Sequence, residues 1–178
     1  MHIFVSDVSE LFSRGISGGE AVRALLSYAV RQVWGMDCPE IKKLPNGKPY
    51  FDGRPDKFLS LSHSKAHVLV ALSEHDVGAD IETQRDIKGR PERLFSKEML
   101  SDFGYFGGWT LRESVYKLLG EGSLRGMELS LRDGGIVSPF AGVRCCLYEG
   151  DGFAASAACV EGEFPDKVEI VDADLICT

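Results

Sequence analysis

The chain has 178 residues, of which 44% are hydrophobic and 26% charged, and its formal net charge is −7. These values are typical of a soluble globular protein, and they argue against a disordered chain or a nucleic-acid-binding protein, which needs a basic face. No apolar run reaches transmembrane length, and the N-terminus lacks the pattern of a secretion signal. Five cysteines without a CxxC spacing fit neither a disulfide framework nor a zinc site, so we expect a cytoplasmic protein.

The first predicted helix lies near the N-terminus. Ser17 and Glu20 have the spacing of a capping box, apolar residues then recur with a helical period, and Gly35 follows the last of them. The next stretch, "KKLPNGKPYFDGRP", is rich in turn-forming residues. It predicts a surface loop with a tight bend at Asn46 and Gly47.

Three β-type runs follow, namely "KFLSLS", "HVLVALS" and "VGADIE". They predict three neighbouring strands in an antiparallel meander. Two helices are then expected, in "RPERLFSKEMLSDFG" and in "WTLRESVYKLLG", ending at Gly104 and Gly120. The rest of the chain is strand and turn material with hairpin signals at Asp133-Gly134 and Asp151-Gly152. This order of elements predicts an α+β fold.

Two acids on one predicted strand are the first candidate functional residues. Because side chains alternate along a strand, Asp80 and Glu82 in "VGADIE" emerge on the same face, next to the space left by Gly78. Like charges this close repel each other unless a cation lies between them. The alternative is that Glu82 lies beyond the strand end in solvent and that Asp80 pairs with a nearby basic residue.

A second pair of candidates lies on the last predicted helix, where Glu113 and Lys117 are four residues apart and share a face. A third carboxylate beside the first two would make an all-oxygen site suited to Mg²⁺, and Lys117 would then meet the negative charge on a leaving phosphate. Two alternatives stay open. Thr110 and Glu113 have capping-box spacing, and Glu113 with Lys117 is also an ordinary exposed ion pair.

Two smaller signals precede the acids. His63, in "LSHS", ends a predicted strand, where an imidazole either contacts a phosphate or merely closes a hairpin. His67 faces along the next strand and is expected to be structural. Lys48 follows the Asn46-Gly47 bend, and a lysine on a turn does not by itself indicate a function.

Taken in order, "GKP", "LSLSHS", "VGADIE" and "WTLRESVYK" resemble the 4'-phosphopantetheinyl transferases of the surfactin-synthetase-activating type. The pattern of that family is GKP, SHS, G-x-D-x-E and W-x-x-K-E-x-x-K, and the match extends from about Ser17 to Leu131. The family uses Mg²⁺ to transfer the phosphopantetheine arm of coenzyme A to a serine of an apo acyl or peptidyl carrier protein. Adenosine 3',5'-bisphosphate is released.

The resemblance implies an α+β fold of two similar halves with mainly antiparallel sheets. Residues 1–76 would bind the nucleotide end of coenzyme A, residues 77–178 would carry the metal and the catalytic helix, and the active site would lie between them. The halves would meet near His75 to Val77. The resemblance also implies a monomer. The acidic net charge and the lack of a long apolar run predict neither a nucleic-acid nor a membrane partner.

The same resemblance assigns individual roles. Asp80, Glu82 and Glu113 would hold the metal. Lys117 would stabilise the departing phosphate, and Glu113 is the candidate general base. The adenine and 3'-phosphate end would contact Arg23, Lys48, Pro49, Ser62 and His63.

The chain departs from the family pattern at two positions. Arg112 replaces the lysine before the helical glutamate, and Glu121 stands where many members have a basic residue. These departures leave two alternatives open. One is a non-catalytic relative that binds a carrier protein or coenzyme A, and the other is a different Mg²⁺-dependent enzyme acting on a nucleotide pyrophosphate.

A local excess of positive charge in "RDIKGRPERLFSK" would steer an acidic carrier protein towards the site. The alternative is an ordinary solvated loop and helix start. The basic residues of this segment are Arg85, Lys88, Arg90, Arg93 and Lys97.

Overall fold

A computed structural model of the protein describes residues 1–87 and 91–176. The strands are β1 (His2–Asp7), β2 (Ile41–Lys43), β3 (Pro49–Phe51), β4 (Phe58–Ser64), β5 (His67–Ser73), β6 (Val77–Thr83), β7 (Ser130–Arg132), β8 (Gly135–Val137), β9 (Arg144–Gly150), β10 (Phe153–Cys159) and β11 (Glu169–Ile170). The helices are α1 (Ser9–Ser13), α2 (Gly18–Trp34), α3 (Lys97–Leu119) and α4 (Ala173–Ile176), with a 3₁₀ turn at Pro91–Arg93.

The first sheet has the strand order β11-β1-β5-β4, in which only β11 runs parallel to its neighbour. Helix α2 covers one face of this sheet. The predicted capping box is confirmed, because the Ser17 side chain accepts from the Glu20 amide while the Glu20 side chain accepts from the Ser17 amide. The helix also ends before Gly35, as predicted.

The second sheet is antiparallel throughout and has the order β6-β10-β9-β8-β7. One face packs on the first sheet, where Val77, Ala79 and Ile81 of β6 join Leu69 and Ala71 of β5 in one apolar cluster. Helix α3 covers the other face. The molecule is therefore layered as helix, sheet, sheet, helix, which confirms the predicted α+β class with mainly antiparallel sheets.

The predicted meander is correct for β4 and β5 but wrong for β6. β6 forms its backbone ladder with β10 and starts the second sheet. The physical reason is that a strand has two edges, and those of β5 are occupied by β4 and by β1 from the N-terminus. The predicted hairpins at Asp133-Gly134 and Asp151-Gly152 are confirmed between β7 and β8 and between β9 and β10.

The two predicted helices are joined end to end in α3. Gly104 interrupts the helical backbone with φ 63° and ψ −171°, a conformation that side-chain-bearing residues rarely adopt. The chain therefore changes direction where the first helix was predicted to end. Thr110 lies inside the helical segment and donates to the Gly107 carbonyl (3.1 Å), so the capping box with Glu113 is wrong.

The change of sheet falls at the predicted meeting point of the two halves, between β5 and β6. After the second sheet, the chain returns to the first, where β11 pairs with β1 and α4 packs against α2. The division into residues 1–76 and 77–178 stays a prediction. No helix in residues 1–87 and 91–176 has both the length and the apolar character needed to cross a membrane.

Candidate active site

Helix α3 lies unusually close to strand β6 at Gly78. A Cβ atom built on Gly78 would lie 2.0 Å from the Ser114 carbonyl oxygen and 2.4 Å from the Leu118 amide nitrogen. Only a glycine permits this approach, because the neighbouring atoms belong to the helix backbone. The contact holds the Glu113 to Lys117 turn of α3 above the acids of β6.

Asp80 is buried, with 5% of its surface exposed, and in the described part of the chain its side chain has two hydrogen-bond partners. Its Oδ1 accepts from Ser62 Oγ (2.6 Å) and from Lys117 Nζ (2.7 Å). Lys117 Nζ also donates to the Leu61 and Ala79 carbonyls, at 3.3 and 3.2 Å. Asp80 therefore has the basic partner that a buried carboxylate requires, and that partner is the predicted catalytic lysine.

Glu82 lies within β6 and is half-buried, so its predicted alternative position in solvent beyond the strand is wrong. Its Oε2 accepts from Ser64 Oγ (2.6 Å) and from an Arg85 guanidinium nitrogen (2.9 Å). Arg85 also lies over the Phe106 ring. Each acid of β6 thus accepts a hydrogen bond from a different serine of β4.

Glu113 is half-buried on the same side of the second sheet. Burial raises the pKa of its carboxyl above the usual range, the negative charges of Asp80 and Glu82 raise it further, and Lys117 lowers it. The three carboxylates therefore share one electrostatic environment that is short of positive charge. Within the described residues no salt bridge joins Glu113 to Lys117, so the alternative of an ordinary ion pair between them is wrong.

The donor chemistry of these three acids fits a hard divalent cation. Among the residues that the structure describes, no hydrogen bond reaches Asp80 Oδ2, Glu82 Oε1 or either oxygen of Glu113. Nevertheless, in residues 1–87 and 91–176 no three acidic, histidine or cysteine side chains are close enough together to hold one metal ion as they stand. The predicted Mg²⁺ site of Asp80, Glu82 and Glu113 therefore stays a prediction.

A cavity of about 630 Å³ opens beside the Asp80–Lys117 pair. It is lined by residues of α2, the β2–β3 hairpin, β4 and α3. Five of the residues predicted from the sequence line it, namely Arg23, Lys48, Pro49, His63 and Lys117. Ser62, which was predicted to contact the nucleotide, is buried and donates to Asp80.

The β2–β3 hairpin is attached to α3 by Lys48. Its Nζ donates to an Asp76 carboxylate oxygen (2.5 Å) and to the Leu118 carbonyl (2.8 Å). His63, at the other side of the cavity, lies against the N-terminus of α2, where a Cβ on Gly18 would be 3.0 Å from its Nδ1. His67 bonds Thr83 through Nδ1 (3.0 Å) and is buried, which agrees with its predicted structural role.

The alternating serines of "LSLSHS" have a role that the sequence analysis missed. Ser60 Oγ accepts from the Ala79 amide (2.9 Å) and contacts the Ala79 carbonyl (3.2 Å), while Ser62 and Ser64 bond Asp80 and Glu82. These hydroxyl contacts join the neighbouring edges of the two sheets. The signal was a strand with hydroxyls at every second position, followed by one with acids at the same spacing.

Arg112 is turned away from the acids and is 3% exposed. Its guanidinium donates to the carbonyls of Met127 (2.6 Å) and Leu94 (2.7 Å) and to Glu128 (2.8 Å), and it lies over the Phe95 ring at 4.3 Å. Burial lowers the pKa of this guanidinium. The departure from the family lysine therefore gives a residue that ties α3 to two neighbouring segments.

Replacing Arg112 by lysine should destabilise the protein by about 2–4 kcal/mol. The three donors of an ammonium group lie on one nitrogen, so they do not reach the acceptors that Arg112 contacts from three separate nitrogens, and at least one acceptor would lose its hydrogen bond. Urea unfolding measures this loss, and Arg125→Lys, at an exposed arginine, is the matched control. An unchanged midpoint for Arg112→Lys would contradict the structural role.

The predicted docking segment is described only in part. Lys88 and Arg90 lie outside the described residues, whereas Arg93 and Lys97 are exposed. The role of this segment in binding a carrier protein stays a prediction. Glu121, the second departure, is exposed just after α3.

No family model matches the chain. It is similar to a 4'-phosphopantetheinyl transferase of Bacillus subtilis, with 28% identity over 171 residues that cover 82% of this chain and 75% of the relative. It is also similar to 4'-phosphopantetheinyl transferase gsp of Aneurinibacillus migulanus, with 28% identity over 131 residues. That match covers 64% of this chain and 54% of the relative, about half its length. The names of both relatives confirm the resemblance and the transferase class implied by the order of the four motifs, and the chain is similar to these two 4'-phosphopantetheinyl transferases.

Proposed function

We propose that this protein transfers the 4'-phosphopantetheine arm of coenzyme A to a serine of an apo acyl or peptidyl carrier protein. The products are the modified carrier and adenosine 3',5'-bisphosphate, and the reaction depends on Mg²⁺. The observation that carries the proposal is the cavity of about 630 Å³ whose wall includes Lys117, the partner of buried Asp80. A nucleotide-sized space thus adjoins a group of acids.

The basic lining of the cavity and the acids beside it suit coenzyme A. Arg23, Lys48 and His63 line its wall and are suited to the phosphate of the nucleotide end. Next to the Lys117 part of the wall, Asp80, Glu82 and Glu113 would hold Mg²⁺ with the carboxylate oxygens that accept no hydrogen bond from described residues. When bound, the ion would neutralise charge on the pyrophosphate.

Lys117 is suited to stabilise the departing phosphate. Its ammonium group donates to Asp80 and to two backbone carbonyls at the edge of the cavity. Lys117 also lines the cavity, so its ammonium group would reach a phosphate oxygen there once it releases one of these three acceptors. Phosphoryl transfer relies mainly on such positioning and charge neutralisation.

Glu113 is suited to accept the proton of the attacking carrier serine. Its carboxyl has a raised pKa because it is partly buried beside Asp80 and Glu82, which makes it a stronger base than an exposed glutamate. Because cavity and acids belong to one chain, we propose that a monomer suffices. The cysteine pattern supports a cytoplasmic location.

Mass spectrometry tests the proposed reaction directly. After incubation with coenzyme A and Mg²⁺, we expect an apo carrier protein to gain the mass of one phosphopantetheine group, and we expect no gain when Mg²⁺ is removed by a chelator. Omission of coenzyme A is the matched control. Cleaved coenzyme A with an unmodified carrier would instead support a nucleotide pyrophosphate enzyme, and binding without either product would support a non-catalytic relative.

A further inference from the structure

Ser156 of β10 has a buried hydroxyl that finds no partner among the described residues. The residue is fully buried, and its Oγ forms no hydrogen bond with any residue that the structure describes. A buried polar group in this state destabilises the folded protein, so it requires an explanation. In the described part of the chain, Ser6 Oγ in β1 is in the same state.

Ser156 lies directly opposite Asp80. The two residues are Cα partners in the antiparallel ladder of β6 and β10, so their side chains emerge on the same face with Cβ atoms about 4.5–5.5 Å apart. That face is covered by α3, because Ala158, two residues further along β10, packs in the cluster beneath this helix. Ala155 and Ala157 point the other way, between the sheets. The Ser156 hydroxyl and the Asp80 carboxylate therefore share the space beneath α3.

The bonds of Asp80 are incomplete on one side. Its Oδ1 accepts hydrogen bonds from Ser62 Oγ and Lys117 Nζ, whereas its Oδ2 accepts no hydrogen bond from the described residues. An ammonium group has three donors, and Lys117 directs its own at Asp80 and the carbonyls of Leu61 and Ala79. Lys117 must release one of these acceptors before it donates fully to a phosphate. Asp80 is the acceptor that a cationic ligand would compete for, and its Oδ1 then loses one of the two donors that hold it in place.

We propose that Ser156 is a positioning residue that supplies the replacement donor. When Lys117 turns towards the substrate phosphate, the Ser156 O–H donates to the Asp80 carboxylate and keeps it in place. The inference rests on the proposed function of Lys117. It explains why the hydroxyl has no partner in residues 1–87 and 91–176 of the free protein, since its hydrogen bond forms only in the complex, where it favours the reacting state.

The first test needs no substrate. In Lys117→Met, Asp80 has permanently lost its lysine, so Ser156 should already donate to it. We expect Ser156→Ala to leave the Tm of the otherwise unchanged protein the same or about 2–4 °C higher, and to lower the Tm of Lys117→Met by at least about 2–4 °C. Ser6→Ala removes the unpaired buried hydroxyl of β1 in the described structure, and it should change the Tm by the same amount in both backgrounds. Equal effects of Ser156→Ala in the two backgrounds would overturn the proposal.

The second test uses the substrate and applies even if Lys117→Met does not fold. Saturating coenzyme A with Mg²⁺ should raise the Tm of Ser156→Ala by less than it raises that of wild type or Ser6→Ala. The kcat of transfer should fall roughly 10- to 100-fold in Ser156→Ala alone, as expected for one lost hydrogen bond to a charged group. A wild-type Tm shift and kcat in Ser156→Ala would refute the role of Ser156. A wild type that shows no response to coenzyme A would contradict the proposed function instead, while the substrate-free comparison still decides on Ser156.

Discussion

Alanine in place of Gly78 is expected to destabilise the protein by more than about 4 kcal/mol, a loss seen only when a core contact cannot relax. The added Cβ would lie 2.0 Å from the Ser114 carbonyl oxygen and 2.4 Å from the Leu118 amide nitrogen. These are backbone atoms of α3, so no side-chain rotation relieves the overlap. The whole helix would have to move away from β6, which would open the core beneath it.

The same displacement should also separate the groups of the candidate active site. Lys117 follows Ser114 by less than one turn, and its 2.7 Å contact with Asp80 depends on the position of α3. Urea unfolding and far-UV circular dichroism measure the stability of Gly78→Ala, and the carrier assay measures its activity. We expect stability and activity to be lost together, because both depend on the position of α3 against β6.

Gly107→Ala is the matched control for this prediction. Gly107 also lies in α3 against the second sheet, but a Cβ there would be 3.1 Å from Leu147 Cδ2, the flexible end of a side chain. Alanine also has a higher helix propensity than glycine, by about 1 kcal/mol. The control should therefore change stability little. A Gly78→Ala protein as stable as Gly107→Ala would contradict the close packing of β6 and α3.

Glutamine in place of Glu113 is expected to lower kcat by roughly 10²- to 10⁴-fold, the usual contribution of a general base. The substitution preserves the shape of the side chain but removes its charge and its basicity. Carrier modification under saturating coenzyme A and Mg²⁺ measures the effect. Glu121→Gln, which neutralises an exposed acid just beyond the same helix, should retain the wild-type rate. An unchanged kcat in Glu113→Gln would exclude Glu113 as the base.

The same variant should gain stability in a pH-dependent way. The pKa of Glu113 is raised in the folded protein, chiefly by burial and then by Asp80, so its ionised form disfavours the folded state. This cost is absent below the ordinary pKa of 4.5, develops as the pH rises towards the raised value, and persists above it. Glu113→Gln should therefore unfold at a higher temperature than wild type at pH 7, and the difference should vanish near pH 4. A difference that grows towards low pH would contradict the raised pKa.

Much of the local structure was predictable because its signals lie within a few residues of one another. The capping box of Ser17 and Glu20, the helix break at Gly104 and the hairpin turn at Asp133 each depend on short-range backbone geometry. The placement of Asp80 and Glu82 on one face follows from strand alternation alone. The order of four short motifs was likewise enough to predict the resemblance that both relatives confirm.

The partners of those residues were decided only by the tertiary structure. β6 joins β10 because both edges of β5 are occupied, and one of the occupants, β1, comes from the far end of the chain. Lys117 bonds Asp80 across 37 positions of sequence, and Ser62 reaches the same carboxylate across 18. Arg112 lies beside Glu113 in sequence, yet its side chain points away from the acids and joins α3 to the carbonyls of Met127 and Leu94. The local sequence determines on which face of a helix or strand each side chain lies. Which residue it meets across that face is determined by how the layers pack.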